Sequence, residues 1–162
     1  MTPPRTVRLR PAQVDEAGAM AEMSRQLIET GLGWRYTPQR MAALIRHADT
    51  IALMAHEANA ASGLAVMQFG DERAHLVLLC VQPGLRRRGI GSSLMDWLLR
   101  SARVAGIEAV DLELRADNAA ALAFYRQLGF AETMQVPAYY DGKLAAQRMT
   151  LALRPPGACD SK

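Results

Sequence analysis

Val77-Leu-Leu-Cys-Val-Gln-Pro-Gly-Leu-Arg-Arg-Arg-Gly-Ile-Gly-Ser-Ser93 carries an apolar strand through a basic, glycine-punctuated turn into a helix. From Leu76 to Val81 every residue is apolar, which suits a central strand of a sheet covered on both faces; a strand with one wet face alternates. Pro83 and Gly84 end it. Ser92 to Ala105 places Leu94, Met95, Leu98, Leu99, Ala102 and Ala105 on one arc, with Asp96, Arg100 and Arg103 opposite, so the segment predicts an amphipathic helix. The first N–H groups of a helix lack internal partners and carry the positive end of its dipole. Gly89 and Gly91 would let phosphate oxygens approach those donors closely. A solvated glycine turn with an arginine run is the alternative, and on this segment alone it stays open.

Two well-known phosphate loops do not match. There is no Gly-x-x-x-x-Gly-Lys-[Ser/Thr], and no third glycine or following acidic residue at dinucleotide-fold spacing. Arg86-Arg87-Arg88-Gly89-Ile90-Gly91 instead resembles the acyl-CoA-binding motif [Gln/Arg]-x-x-Gly-x-[Gly/Ala] of the GNAT superfamily of N-acyltransferases. A second segment strengthens the resemblance: Val110-Asp-Leu-Glu-Leu-Arg-Ala-Asp-Asn-Ala-Ala-Ala-Leu-Ala-Phe-Tyr-Arg-Gln-Leu-Gly-Phe130. The superfamily carries a strand, an asparagine and a helix ending in Phe-Tyr-x-x-x-Gly-Phe at this distance. On physical grounds, Glu108 to Arg115 alternates, with Val110, Leu112 and Leu114 on one face and Asp111, Glu113 and Arg115 on the other, so it is a strand. Asn118 suits a helix N-cap, Ala119 to Leu128 are good helix formers, and Gly129 is the expected residue past the C-terminus.

The remainder fits one domain over residues 5–154. Half of the 162 residues are hydrophobic, enough for a real core. Thr6 to Leu9 and Thr50 to Glu57 read as strands, as do Gly63 to Phe69 and Gln147 to Leu153. Val14 to Thr30 and Pro38 to His47 read as helices, the second opened by Thr37 as cap and Pro38 as first residue. Residues 155–162 read as a frayed tail. The resemblance implies an α/β (α+β) fold of GNAT type. Its central mixed, mostly antiparallel sheet has about seven strands, the fourth and fifth parallel and splayed, with about four helices flanking it.

Composition bounds the setting. With no apolar run near eighteen residues and no signal-peptide core, a cytoplasmic, membrane-free protein is expected. Cys80, in the apolar strand, reads as a small core residue. Cys80 and Cys159 offer no disulfide framework, and with the scattered His47, His56 and His75 they offer no metal-ligand spacing, so no metal is expected. The net charge of +3 is modest, and its cluster at Arg86 to Arg88 suits an anionic cofactor. Aromatic residues are only 6% and none interleaves the arginines, which argues against nucleic acid as a partner. A homodimer stays open.

The resemblance implies a chemistry. Leu79, Cys80 and Val81 would contact the acyl-pantetheine of acetyl-CoA through their main chain. A backbone N–H near Val81 would polarise the thioester carbonyl. Arg86, Arg87, Arg88, Gly89, Ile90, Gly91 and Ser92 would cradle the pyrophosphate, and Asn118 would touch the cofactor with its side chain. Tyr125, seven residues after Asn118, would protonate the departing thiolate, since a phenol with a reference pKa near ~10 keeps its proton at neutral pH. Ala121, Leu122, Tyr125 and Leu128 also form one helical stripe, so a packing role for Tyr125 competes. Glu113 lies five residues before Asn118, where bacterial ribosomal-protein alanine N-acetyltransferases carry a glutamate used as proton acceptor. A structural salt bridge of Glu113 with Arg115 or a neighbouring arginine stays open beside that role. His75 is a further candidate base, because many members place one on this strand.

Acceptor identity is read from loops. Pro137-Ala138-Tyr139-Tyr140-Asp141-Gly142 resembles the segment whose paired tyrosines line the acceptor groove in those peptide acetyltransferases, and Asp141-Gly142 suggests a hairpin turn. Gly31 to Tyr36, with Trp34 and Tyr36, would form the opposite wall. The expected reaction is acetyl transfer from acetyl-CoA to a primary amine by direct attack in a ternary complex, with a protein or peptide α-amine foremost. A small amine such as a polyamine, amino acid or aminoglycoside stays open. So does a non-catalytic acyl-CoA sensor, against which the presence of both Glu113 and Tyr125 argues.

Overall fold

The structure, a computed structural model, describes residues 6–86 and 89–153. Arg87, Arg88 and the expected tail therefore lie outside the described residues. Among the described residues, seven strands form one mixed sheet in the order β1-β2-β3-β4-β5-β7-β6, with four α-helices.

The chain makes two compact units. The first comprises the described residues up to Gln68 together with Val77–Ser101. Here β1 (Val7–Pro11) pairs antiparallel with β2 (Thr50–Glu57), and β2 with β3 (Ala60–Phe69). Ala58 and Asn59 turn the β2–β3 hairpin, both at positive φ, 51° and 65°. That is the conformation a two-residue turn needs to match strand twist. The helix expected from Val14 is divided: Val14–Glu16 winds as a 3-10 turn, and α1 (Ala17–Leu27) follows, stopping short of Thr30. α2 (Pro38–Arg46) starts as expected, its Thr37 hydroxyl accepting the Arg40 N–H at 3.3 Å. Met20, Ala21, Met23, Met41 and Leu44 from these helices share one buried core with Met54, Leu64, Val66, Leu78 and Cys80.

α3 (Ile90–Val104) opens at Ile90 rather than Ser92 and buries Ile90, Leu94, Met95, Leu98, Leu99 and Ala102. Ala105, expected on its buried arc, lies past the helix end and is exposed. β4 (Arg73–Val81) also differs from the expectation of a strand covered on both faces. Ala74, Leu76, Leu78 and Cys80 are buried, but His75, Val77, Leu79 and Val81 are only half-buried. The strand begins three residues earlier than expected, at Arg73, whose charged side chain is exposed on the open face of the strand.

The second unit comprises Phe69–Leu76 and the described chain from Ala102 on. β5 (Ala109–Arg115) pairs parallel with the start of β4 over Arg73–His75, and antiparallel with β7 (Leu144–Ala152), which sets Asp111 opposite Thr150 and Glu113 opposite Arg148. Val110, Leu112 and Leu114 point to the buried face, as their alternation predicts. α4 (Ala119–Gln127) is capped by Asn118 and followed by Gly129 at φ 101°. β6 (Ala131–Tyr140) was not legible as a strand. It is one of the sheet's two edges, nearly all exposed, and its pairing with β7 is irregular between Glu132 and Met134 and between Val136 and Tyr140. No helix among the described residues is long and apolar enough to cross a membrane.

Candidate active site

The candidate residues fall into two groups, one in each unit. In the first, Leu79 and Val81 are half-buried and Cys80 is buried at the end of β4. Burial pushes the Cys80 thiol up to about 12, against the opposing pull of Arg86, so it stays protonated and is no nucleophile. β3 carries a bulge opposite this strand end: Ala55 pairs with Gly63 but His56 with Ala61, leaving Ser62 as the extra residue. The Ser62 carbonyl accepts the Gln82 N–H at 2.8 Å, and Arg86 Nε donates to the Val81 carbonyl at 3.4 Å.

The turn into α3 follows. Gly89 sits at φ 79°, a conformation that favours glycine, and a Cβ there would meet nothing within 4 Å. Ser93 N–H donates to the Gly89 carbonyl at 2.9 Å, which puts Gly89 at the start of the helix. Ile90 is buried, Gly91 half-buried and Ser92 exposed. Open space at a glycine before the first turn of a fifteen-residue helix fits a phosphate group, whose oxygens the turn's amides would meet.

The α1–α2 connection is built on a residue that sequence reasoning missed. Glu29 is buried, and its carboxylate accepts the Ser24 hydroxyl at 2.9 Å and the N–H groups of Arg35 and Tyr36 at 2.7 and 3.1 Å. Arg25 stacks on the Trp34 ring at 5.2 Å and Arg40 on the Tyr36 ring at 4.9 Å. Trp34 is left exposed. The expected acceptor wall is thus a loop held from inside by one carboxylate and flanked by two stacked guanidinium groups.

In the second unit, the face of β5 that sequence alternation leaves polar forms a ladder of charge pairs. Arg73 grips Asp111 through Nε at 2.7 Å and Nη2 at 2.6 Å, and the Thr150 hydroxyl donates to the same carboxylate at 2.6 Å. One rung further, His75 Nε2 lies 2.5 Å from Glu113 Oε2, and Arg148 Nε donates to Glu113 Oε1 at 2.9 Å. His75 before all, and then Arg148, hold the Glu113 carboxyl below the usual carboxylate range, against the opposing effect of burial. Arg73 does the same to Asp111, with help from Thr150. The arginine beside Glu113 is therefore Arg148 of β7, across the strand pair. The structural salt bridge that the sequence left open for Glu113 is therefore present, with Arg148 as its arginine.

Asn118 Oδ1 accepts the Ala121 N–H at 3.1 Å, so its carbonyl caps α4 and its NH₂ is the donor end of the side chain. Tyr125 is buried, its ring edge-on to Phe124 at 5.1 Å and to Phe130 at 5.6 Å. The packing stripe expected of α4 is thus present at the same side chain that carries the expected acid. Tyr139 and Tyr140 meet edge-on at 4.9 Å at the end of β6, and Asp141 and Gly142 turn the hairpin at φ 52° and 67°. Among the described residues no group of three His, Cys, Asp or Glu side chains could hold a metal ion.

A family model described as "Acetyltransferase (GNAT) family" matches residues 21–130, more than half of the chain. The [Ribosomal protein bS18]-alanine N-acetyltransferase of Salmonella typhimurium is 37% identical over 79 residues, 49% of this chain and 53% of that protein. N-alpha-acetyltransferase MAK3 of Arabidopsis thaliana is 33% identical over 98 residues, 58% of this chain and 52% of that protein. The chain thus spans about half the length of these curated relatives. The crystal structure of the ribosomal-protein-S18-alanine N-acetyltransferase from Escherichia coli has the same fold, with a TM-score of 0.82 at 23% identity over 97% of this chain and 100% of that one.

Proposed function

The chain belongs to the GNAT acetyltransferase family, and from that premise we propose that it moves the acetyl group of acetyl-CoA directly to an amine, with the α-amine of a protein or peptide N-terminus as acceptor. The observation that carries this reading is the Glu113 carboxylate. It is half-buried and charge-paired on β5, five residues before the Asn118 cap and twelve before the buried Tyr125. The names of the two relatives, one an alanine N-acetyltransferase for a ribosomal protein and the other an N-alpha-acetyltransferase, support the acceptor class.

Acetyl-CoA supplies an acetyl group already activated as a thioester. Main-chain groups of Leu79, Cys80 and Val81 hold the acyl-pantetheine arm. Arg86 and the amides of Gly89 to Ser92 hold the pyrophosphate, and the Asn118 amide NH₂ adds a side-chain contact. A main-chain N–H near Val81, oriented beforehand, stabilises the negative charge that grows on the carbonyl oxygen. Glu113 anchors the proton-accepting side of the site, and Tyr125 gives its phenolic proton to the departing thiolate. Trp34 and Tyr36 of the first unit, and Tyr139 and Tyr140 of the second, are the side chains offered to the acceptor.

The test is release of free CoA thiol from acetyl-CoA, screened against peptides with free or blocked α-amines and against polyamines, amino acids and aminoglycosides. Turnover of free but not blocked peptides is expected. Turnover of small amines alone overturns the acceptor class. Acetyl-CoA binding with no turnover of any amine overturns the reading in favour of a sensor.

A further inference from the structure

We propose that the Arg40 guanidinium reads a carboxylate on the acceptor: an aspartate or glutamate side chain within the first few residues after the α-amine of a peptide. The inference rests on the function proposed above and deepens it by naming the chemistry of the acceptor. Two guanidinium groups lie over aromatic rings of the α1–α2 connection, and they differ in charge balance. Arg25, over Trp34, is ion-paired with Glu22 at 2.7 Å. That pairing is the main cause that holds the Glu22 carboxyl below its usual range. Arg40, over Tyr36 at 4.9 Å, makes no ion pair among the described residues. A guanidinium against an aromatic face still presents a planar fork of N–H donors that matches a carboxylate.

Helix stability does not account for an arginine at this place. Thr37 caps α2 by accepting the Arg40 N–H, so Arg40 is the third residue of the helix, and the first turn holds no acidic residue. A cation there is opposed by the positive end of the helix dipole, and Glu or Gln is the favoured type. The attraction between Arg40 and the Tyr36 ring is of the same order as that penalty. The two roughly cancel, and an exposed positive charge remains.

The surroundings leave that charge uncompensated. From Glu22 to Arg40 the chain carries Arg25, Arg35 and Arg40 against Glu22 and Glu29. Glu29 is buried, accepting from the Ser24 hydroxyl and from the main-chain N–H groups of Arg35 and Tyr36. Three exposed arginines thus face the single outer carboxylate of Glu22. The 3-10 turn that packs on α2 adds Glu16, paired with Arg10, and the exposed Asp15; β2, which also packs on α2, ends in the buried Glu57. None of these is ion-paired with Arg40. Glu29 has a second effect. By fixing the backbone at Tyr36, it places the ring under Arg40 before any acceptor arrives, so little ordering remains to be done on binding.

The experiment measures kcat and KM for the full chain by thiol release from acetyl-CoA, with peptide amides that differ only in placing Glu, Gln or Lys at the second, third or fourth residue. At one of these positions Glu should exceed Gln by about 3- to 5-fold in kcat/KM, through KM, with Lys poorest. The difference should shrink from low to high salt. Arg40→Gln should erase the preference and leave acetyl-CoA affinity, measured by calorimetry, unchanged. Arg40→Lys keeps the charge without the fork and should retain part of the preference. Arg46→Gln, which removes an exposed arginine from the other end of α2, should leave it in place. Equal use of the three residues at every position overturns the proposal while the proposed function stands. So does a preference that survives Arg40→Gln, or one that Arg46→Gln lowers as much. A loss of acetyl-CoA affinity in Arg40→Gln overturns it in favour of a cofactor phosphate as the anion. Acetylation of free glutamate or aspartate alone, with no turnover of the peptide amides, overturns the peptide source of the carboxylate and the acceptor class proposed above. A wild-type chain that acetylates no amine overturns the proposed function, and this inference with it.

Discussion

Gly63 and Cys80 meet backbone against backbone: a Cβ on Gly63 would stand 2.9 Å from the Cys80 carbonyl oxygen, and 3.4 Å from Ile90 and Val81 side-chain carbons. Only a residue without a side chain lets the bulged end of β3 lie so close to the strand end proposed to hold the acyl arm. Because the obstruction is backbone, it cannot be relieved by turning a side chain. Gly63→Ala should therefore cost about 1–3 kcal/mol in urea or thermal unfolding, and should weaken acetyl-CoA binding as Cys80 shifts. A variant as stable as wild type would show that β3 and β4 can move apart without penalty.

Tyr125→Phe separates the acid from the packing residue. The ring keeps its edge contacts with Phe124 and Phe130, so acetyl-CoA affinity should hold. The thiolate loses its proton donor, and kcat should fall by on the order of 10²-fold. Full activity in this variant would leave solvent or another group as the acid.

At Gly89 the choice of replacement decides what is learned. The φ of 79° strains any β-branched residue, so Gly89→Val should lower Tm through a backbone cost of about 1–3 kcal/mol as well as fill the phosphate space. Gly89→Asn tolerates the left-handed conformation. It should keep Tm near that of wild type while weakening acetyl-CoA binding by on the order of 10-fold, about 1.4 kcal/mol, measured by calorimetry. Unchanged affinity in a folded Gly89→Asn would remove the cradle from this turn.

The charge ladder predicts acid sensitivity. Asp111 and Glu113 have folded values below their ordinary ones. Their stabilising effect is therefore complete above the ordinary carboxylate range and is lost as pH falls through it toward the folded values. Tm should drop below about pH 4, and the Asp111→Asn, Glu113→Gln double variant, less stable at pH 7, should show a flatter acid limb. An unchanged limb would mean that other carboxylates dominate acid unfolding.

What could be read from the chain, and what could not, follows from range. The bounds of β2 and the start of α2 were legible because Thr37-Pro38 and the apolar run from Thr50 are local signals. The alternation of Asp111, Glu113 and Arg115 exposed a polar face. The partners on that face come from 35 to 39 residues away, and only strand register names them. Arg115 was a reasonable partner for Glu113 by proximity, but Arg148 is the residue opposite it. Glu29 gave no signal because its acceptors' partners are mostly backbone N–H groups, which every residue type but proline carries. β6 failed the pattern test for another reason: an edge strand with little to bury has no periodicity to show.

That same strand bears on edge-to-edge pairing at its side of the sheet. An exposed edge presents a row of unpaired amides and carbonyls on which a second chain can continue the sheet. In β6 the row is broken. Pro137 supplies no N–H, Ala138 at φ 55° turns the backbone out of line, and register slips twice along its length. Arg126 and Glu132 pair across the start of the strand. The irregularities of β6 are thus obstacles to edge-to-edge pairing at this edge, and a sequence regularised here to look like a better strand would be one more prone to it.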